Sequence, residues 1–125
     1  MELVNNSSAN ILISIHLNKY PQDEKYRGWQ TFYQKENSKS MSLAECVQQS
    51  INSNIEYNNS RTCQSIKDIY LMDNITIPGV IVECGFLSNY SETQLLLTDE
   101  YQNKIAWGIC LGILEYFKES EDENG

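Results

Sequence analysis

Pro78-Gly79-Val80-Ile81-Val82-Glu83-Cys84-Gly85 is the stretch that decides the fold. Proline and glycine open it, glycine closes it, and a β-branched apolar run without alternation lies between. That pattern belongs to a strand buried on both faces, as in a parallel sheet covered by helices. Glu83 stands near its C-terminal end. Earlier in the chain, Asn10-Ile11-Leu12-Ile13-Ser14-Ile15-His16-Leu17-Asn18 repeats the theme. It too is apolar on both faces for most of its length, so a strand covered on both sides is expected. His16, the only histidine of the chain, lies near its end.

Outward from these two runs, Gly28–Gln34 reads as an aromatic-rich strand and Asp68–Met72 as a short third strand. Residues 38–55 read as a helix, with Leu43, Val47, Ile51 and Ile55 on one face. Ser91-Glu92-Thr93-Gln94 matches a capping box and starts a short helix, with Asn89 and Ser88 shaping the turn before it. Asp99 is placed to cap a last helix, in which Tyr101, Ile105, Ile109, Ile113 and Phe117 form one stripe. Gly108 and Gly112 sit on a neighbouring face, and each costs about 1 kcal/mol relative to alanine. Their presence predicts a close approach of this helix to the sheet. The alternation of strands and helices predicts an α/β class, a mostly parallel sheet flanked by helices.

The chain has 125 residues, enough for one domain with a core. We divide it into a domain over residues 1–118 and an acidic, frayed tail over 119–125, where Glu119, Glu121, Asp122 and Glu123 crowd together. A net charge of −8 lacks the basic footprint that phosphate backbones require, so nucleic-acid binding is excluded. The longest apolar stretch, Ile11–Leu17, is too short to span a membrane. Met1–Asn6 has neither the basic start nor the apolar run of a secretory signal, so the chain as written is expected in the cytoplasm. Cys46, Cys63, Cys84 and Cys110 form no C-x-x-C pair and read as small buried hydrophobes.

His16 and Glu83 break the apolar pattern at equivalent strand ends. Ligands of open α/β sheets bind at the carboxyl ends of strands. A charge beside a buried run is costly unless paired, protonated or bound to metal. The two residues are therefore candidates for one crevice. From the residues alone, His16 can equally be a hydrogen-bonded structural residue, and Glu83 can leave the sheet into solvent. No nucleophile elbow, P-loop, dinucleotide fingerprint or H-E-x-x-H motif occurs.

Three segments in order, Ser14-Ile15-His16-Leu17-Asn18, Gly28-Trp29-Gln30-Thr31-Phe32-Tyr33 and Ile77–Asn89 with its V-E-C-G-F core, resemble the zinc-dependent N-acetylmuramoyl-L-alanine amidases of the amidase-3 family. Glu92, Leu95-Leu96, Tyr101-Gln102, Ile105-Ala106 and Gly112-Ile113 continue the likeness, which runs from Leu3 to Phe117. Within the family the pattern is most like the CwlD-type branch of sporulation and germination, which acts on spore cortex. The resemblance implies a hydrolase that cuts the amide between N-acetylmuramic acid and L-alanine in peptidoglycan. It implies Zn2+ as cofactor, His16 as a zinc ligand, Glu83 as the catalytic carboxylate, and the cell wall or spore cortex as the place of action of the complete enzyme.

Complete members also carry a D-x-G-H-G-type motif with a first zinc histidine, and a ligand glutamate. Neither occurs here. The expectation is a C-terminal part of the catalytic domain, with the N-terminal strand or strands missing and two further zinc ligands absent. Such a chain would bind zinc weakly and be weakly active or inactive, and would need an accessory protein or the missing N-terminal segment. The alternative is a non-catalytic remnant or an α/β interaction domain that binds glycan or a partner protein.

Overall fold

The computed structural model describes residues 2–56 and 59–124. The order of elements is α1 (Glu2–Asn5), β1 (Leu12–Asn18), β2 (Gln30–Gln34), α2 (Ser38–Asn54), β3 (Gln64–Ile66), α3 (Tyr70–Asn74), β4 (Gly79–Phe86), α4 (Tyr90–Leu96) and α5 (Asp99–Asn124). The strands form one sheet in the order β1-β4-β2-β3. β4 runs parallel to β1 and antiparallel to β2, and β2 runs parallel to β3. The fold is α/β with a mixed, mostly parallel sheet flanked by helices.

β4 is interior because its sequence permits nothing else. Seven of its eight residues are buried, Glu83 being the exception. Val80, Val82 and Cys84 point to one face and join Leu43, Val47 and Ile51 of α2 and Tyr101, Ile105 and Ile109 of α5 in the main core. Ile81 points to the other face, where Met72 and Ile75 bury a smaller cluster with Leu12, Phe32 and Ile66 packed against it. Alternate residues of a strand face opposite ways, so Glu83 follows Ile81 onto the smaller-cluster face. α2 is fixed to β2 by Gln48, whose side-chain oxygen accepts from the Thr31 N–H at 2.8 Å. Trp29 donates from Nε1 to Asn52 Oδ1 at 2.7 Å.

Several expectations need correction. Asp68–Met72 is no strand: β3 lies just before it and α3 takes its second half. Asp68 adopts φ 63°, which ends any extended run. Met72 then becomes fully buried on the sheet, a packing gain that outweighs the β-propensity of Ile69-Tyr70. β1 is an edge strand rather than one covered on both sides. Ile15 and Leu17 remain 62% and 47% exposed, because they line an open apolar hollow with Cys84, Leu96, Ile105 and Ile109.

Ser91 does not cap α4: Asn89 does, accepting from the Glu92 N–H at 2.9 Å. Thr98 rather than Asp99 caps α5, its hydroxyl accepting from the Tyr101 N–H at 3.3 Å. α5 also continues through the segment read as a frayed tail. Glu119 in that segment accepts a 3.3 Å hydrogen bond from Cys46 Sγ of α2, which ties the helix down. Side chains 123–125 lie outside the described residues. Cys46 and Cys84 are buried as expected, whereas Cys63 is half-buried and Cys110 is exposed.

The glycines of α5 approach α2, not the sheet. A Cβ on Gly112 would stand 2.6 Å from the Val47 Cα and 2.9 Å from the Cys46 oxygen. One on Gly108 would stand 3.0 Å from the Ile51 Cα. Backbone cannot yield as a side chain does, so the close crossing outweighs the helix-propensity cost of both residues. Gly112→Ala should therefore destabilise the protein: overpacking costs about 1–3 kcal/mol against a propensity gain of about 1 kcal/mol. Urea denaturation checks this, and a gain in stability would refute the close crossing.

Candidate functional site

Two loops and a bulge shape the end of the sheet. The Cα register pairs His16 with Glu83 directly, then shifts so that Asn18 faces Phe86. Bulges of this kind re-aim side chains and recur beside active sites. Across the bulge, Leu87 donates its N–H to the Asn18 carbonyl at 2.8 Å. Ser88 Oγ accepts from the Tyr20 N–H at 2.9 Å, and Asn89 donates from its amide to the Glu24 carbonyl at 3.0 Å. The chain after β1 is thereby fastened to the chain after β4.

Register partners on adjacent strands project to the same face, so the imidazole and the carboxylate stand side by side. Gln30 is the register partner of Glu83 on β2. One row thus crosses three strands: His16, Glu83, Gln30. Ser14, two residues before His16 on the same face, joins its Oγ to His16 Nε2 at 2.6 Å. His16 is exposed. Glu83 is half-buried, and its Oε2 is buried without a hydrogen-bond partner among the described residues. Burial pushes the Glu83 carboxyl up from its ordinary value, and the neighbouring His16 charge pulls it part of the way back. An orphaned buried carboxylate oxygen is costly, and such a group is poised to take up a proton.

The sequence reading missed Glu92 as a structural centre, having placed it only in the capping pattern and the family likeness. Its side chain is fully buried. Its carboxylate accepts the Phe86 N–H at 2.6 Å and the Gly28 N–H at 2.8 Å. Gly85 is what makes room, since a Cβ there would lie 2.7 Å from Glu92 Oε1. Thus the carboxylate that follows the Asn89 cap locks the end of β4, and with it the backbone next to Glu83. The available signal was the glycine two residues after Glu83, a small residue where a strand would favour a branched one.

The fit of a metal can be judged from the donors. Catalytic zinc takes three protein ligands and keeps an open position. Among the described residues, no three His, Cys, Asp or Glu side chains gather closely enough to hold a metal ion. His16 and Glu83 are one imidazole beside one carboxylate, which does not make a closed zinc site by itself. Among the same residues, no helix is long and apolar enough to cross a membrane.

Comparison with known proteins decides the family. The sequence pattern of the amidase-3 family, N-acetylmuramoyl-L-alanine amidase, matches residues 1–115. This chain belongs to that family. It is 43% identical over 122 residues to the germination-specific N-acetylmuramoyl-L-alanine amidase of Bacillus subtilis (strain 168), covering 98% of this chain and 51% of that protein. Its fold superposes on the CwlD amidase from Clostridioides difficile, solved in complex with the GerS lipoprotein, with TM-score 0.89 and 44% identity. That match covers 94% of this chain and 59% of the other. An N-acetylmuramoyl-L-alanine amidase from Clostridium difficile 630 matches with TM-score 0.85 and 33% identity, over 93% of this chain and 62% of that one. The chain thus spans about half the length of the germination amidase it matches.

Two measurements check the site. Glu92→Ala leaves the Gly28 and Phe86 N–H groups buried without an acceptor, at about 1–3 kcal/mol each. A loss of at least about 2 kcal/mol in a denaturant titration is expected, and a change near zero would contradict the clamp. For Glu83, the raised folded pKa means that the folded state keeps its proton to higher pH than the unfolded chain. Its contribution is favourable below the ordinary value of 4.5 and is lost as pH rises through the raised value. Glu83→Gln should therefore match the parent's stability in acid and exceed it at neutral pH. The reverse order in thermal melts would refute the burial argument.

Proposed function

We propose that this chain acts in the hydrolysis of the amide between N-acetylmuramic acid and L-alanine of peptidoglycan, in the cell wall or spore cortex. The observation that carries this reading is the register pairing of His16 with Glu83 at the carboxyl ends of two parallel strands, in a chain of the amidase family. Cortex peptidoglycan is preferred as substrate because the Bacillus subtilis relative is named germination-specific.

Glu83 is the proton carrier in this proposal. Its carboxyl is half-buried, and its buried Oε2 is committed to no hydrogen bond among the described residues, so the group is held unpaired at the end of β4. It takes a proton from that water as the new C–O bond forms. It then delivers the proton to the departing amine of L-alanine as the C–N bond breaks. Its raised affinity for a proton suits the first step, since a carboxylate at its ordinary value would take the proton from water less readily. Asn18 and Ser88 hold the loops that flank the row, and Glu92 holds the backbone beneath it.

His16 is the ligand this chain offers to zinc. A single imidazole supplies a small part of the binding energy of a structural site, about 10–16 kcal/mol. By itself this polypeptide is therefore expected to hold zinc weakly and to turn over slowly. The CwlD structure contains a lipoprotein partner, and we extend to this chain the expectation of an accessory protein or a further polypeptide segment.

Release of stem peptide from purified peptidoglycan, with zinc added, tests the reading. Glu83→Gln should slow the release by about 10²–10⁴-fold, the usual contribution of a positioned acid–base. A variant as fast as the parent would remove Glu83 from the reaction. The absence of release at any zinc concentration would favour a non-catalytic chain that binds glycan or a partner protein.

A further inference from the structure

One cation stands beside the row and is used by nothing described so far. Arg61 is half-buried in the segment before β3. Its guanidinium lies 5.0 Å from the Phe86 ring centroid and 6.0 Å from that of Tyr26. Those two rings are themselves in contact, 6.2 Å apart at a 30° tilt. Arg61 Nε donates to the Arg27 carbonyl at 2.9 Å, and Nη1 donates to Gln30 Oε1 at 3.3 Å. Gln30 in turn is the register partner of Glu83. The row therefore extends to a fourth member, His16, Glu83, Gln30, Arg61, with the cation at its far end.

In a chain of net charge −8 an arginine has many carboxylates to choose from. Among the described residues Arg61 pairs with none: its partners there are one carbonyl oxygen, one amide oxygen and two aromatic faces. A guanidinium carries five N–H donors in a planar fork, and Nη2 has no acceptor among the described residues. The stacking on Phe86 and Tyr26 fixes the plane of that fork, which lowers the ordering cost of binding a planar anion. A fixed, half-buried guanidinium without a carboxylate is built to receive one from outside.

The spacing says which one. Adjacent strands lie about 4.8 Å apart, so a group one strand beyond Glu83 and past Gln30 stands on the order of 10 Å from the Glu83 carboxyl. An extended peptide covers roughly 7 Å in two residues, and an ion-pair contact of about 2.8 Å completes the reach. We propose that Arg61 binds the free carboxylate carried by the second residue of the stem peptide, two residues from the scissile amide, and so selects acidic muramoyl peptides over amidated ones. This rests on the amidase reading of His16 and Glu83, and adds to it the residue that recognises the peptide side of the substrate.

The test reads binding rather than turnover, by calorimetric or NMR titration of the 125-residue chain. The probes are N-acetylmuramoyl-L-alanyl-D-glutamate with its γ-carboxyl blocked as the methylamide, the same compound with its α-carboxylate also amidated, and the dipeptide L-alanyl-D-glutamate γ-methylamide. The parent chain should bind the acid at least tenfold more tightly than the amide. Arg61→Gln should abolish that preference by weakening the acid alone, and Arg61→Lys, which keeps the charge but not the fork, should retain part of it. An undiminished tenfold preference in Arg61→Gln overturns the proposal. So does equal affinity of the parent chain for acid and amide, or binding of neither. The parent comparison needs no variant, so it holds even if Arg61→Gln folds poorly. If the bare dipeptide binds as tightly as the muramoyl compound, with the same dependence on Arg61, the carboxylate site stands and the muramoyl reading of the substrate falls.

Discussion

The parallel, in-register pairing of β1 with β4 is the constraint on which the rest depends. Neither strand alone makes a site. β1 brings an imidazole to an exposed sheet edge, and β4 brings a carboxylate to the rim of the core. Because the pairing is parallel and unshifted up to His16, both side chains leave the sheet on the same face at the same height. A slip of one residue would turn one of them to the opposite face, and the imidazole would then meet the helices that pack there.

What holds the register is distributed around the pair. The apolar residues of β4 are claimed on both faces, by α2 and α5 on one and by Met72, Ile75 and their neighbours on the other. At the open end, the carboxylate of Glu92 grips Phe86 and Gly28 at once, so the strand that carries Glu83 and the start of β2 are joined by a buried charge. At the other end, Gly79 donates its N–H to Ser40 Oγ of α2 at 2.9 Å. β4 is thus clamped at both ends, while β1 keeps one edge open. The two ends of the plan differ: the clamps are buried and satisfied, whereas the half-buried row that starts from exposed His16 keeps an orphaned oxygen and a stacked cation.

Much of the fold was legible in the sequence, and the reason differs element by element. β4 and α2 declared themselves because an uninterrupted β-branched run and an i, i+4 apolar stripe each have one stable reading. Asp68–Met72 misled because Ile69 and Tyr70 favour strands, while the burial of Met72 on the sheet is a tertiary gain invisible in a short window. The glycines of α5 announced a close crossing but not its partner, since a small residue is equally suited to a sheet or a helix. His16 and Glu83 were visible as polar breaks in apolar runs. Their sharing of one crevice was inferred from equivalent strand ends, but the direct register pairing was not legible, because strands 67 positions apart acquire a register only when the whole sheet is assembled. Glu92 and Arg61 stayed hidden for a related reason: their partners are backbone groups and ring faces supplied by distant segments.

In the proposed function, His16 and Glu83 act as one unit. A double-mutant cycle on zinc-supported release of stem peptide measures this directly, using His16→Ala, Glu83→Gln and the two together. Residues of one catalytic unit are strongly non-additive. The doubly substituted chain should therefore be no slower than the slower single variant. Two losses that multiply in full would show that the imidazole and the carboxylate work independently, and would contradict the shared site.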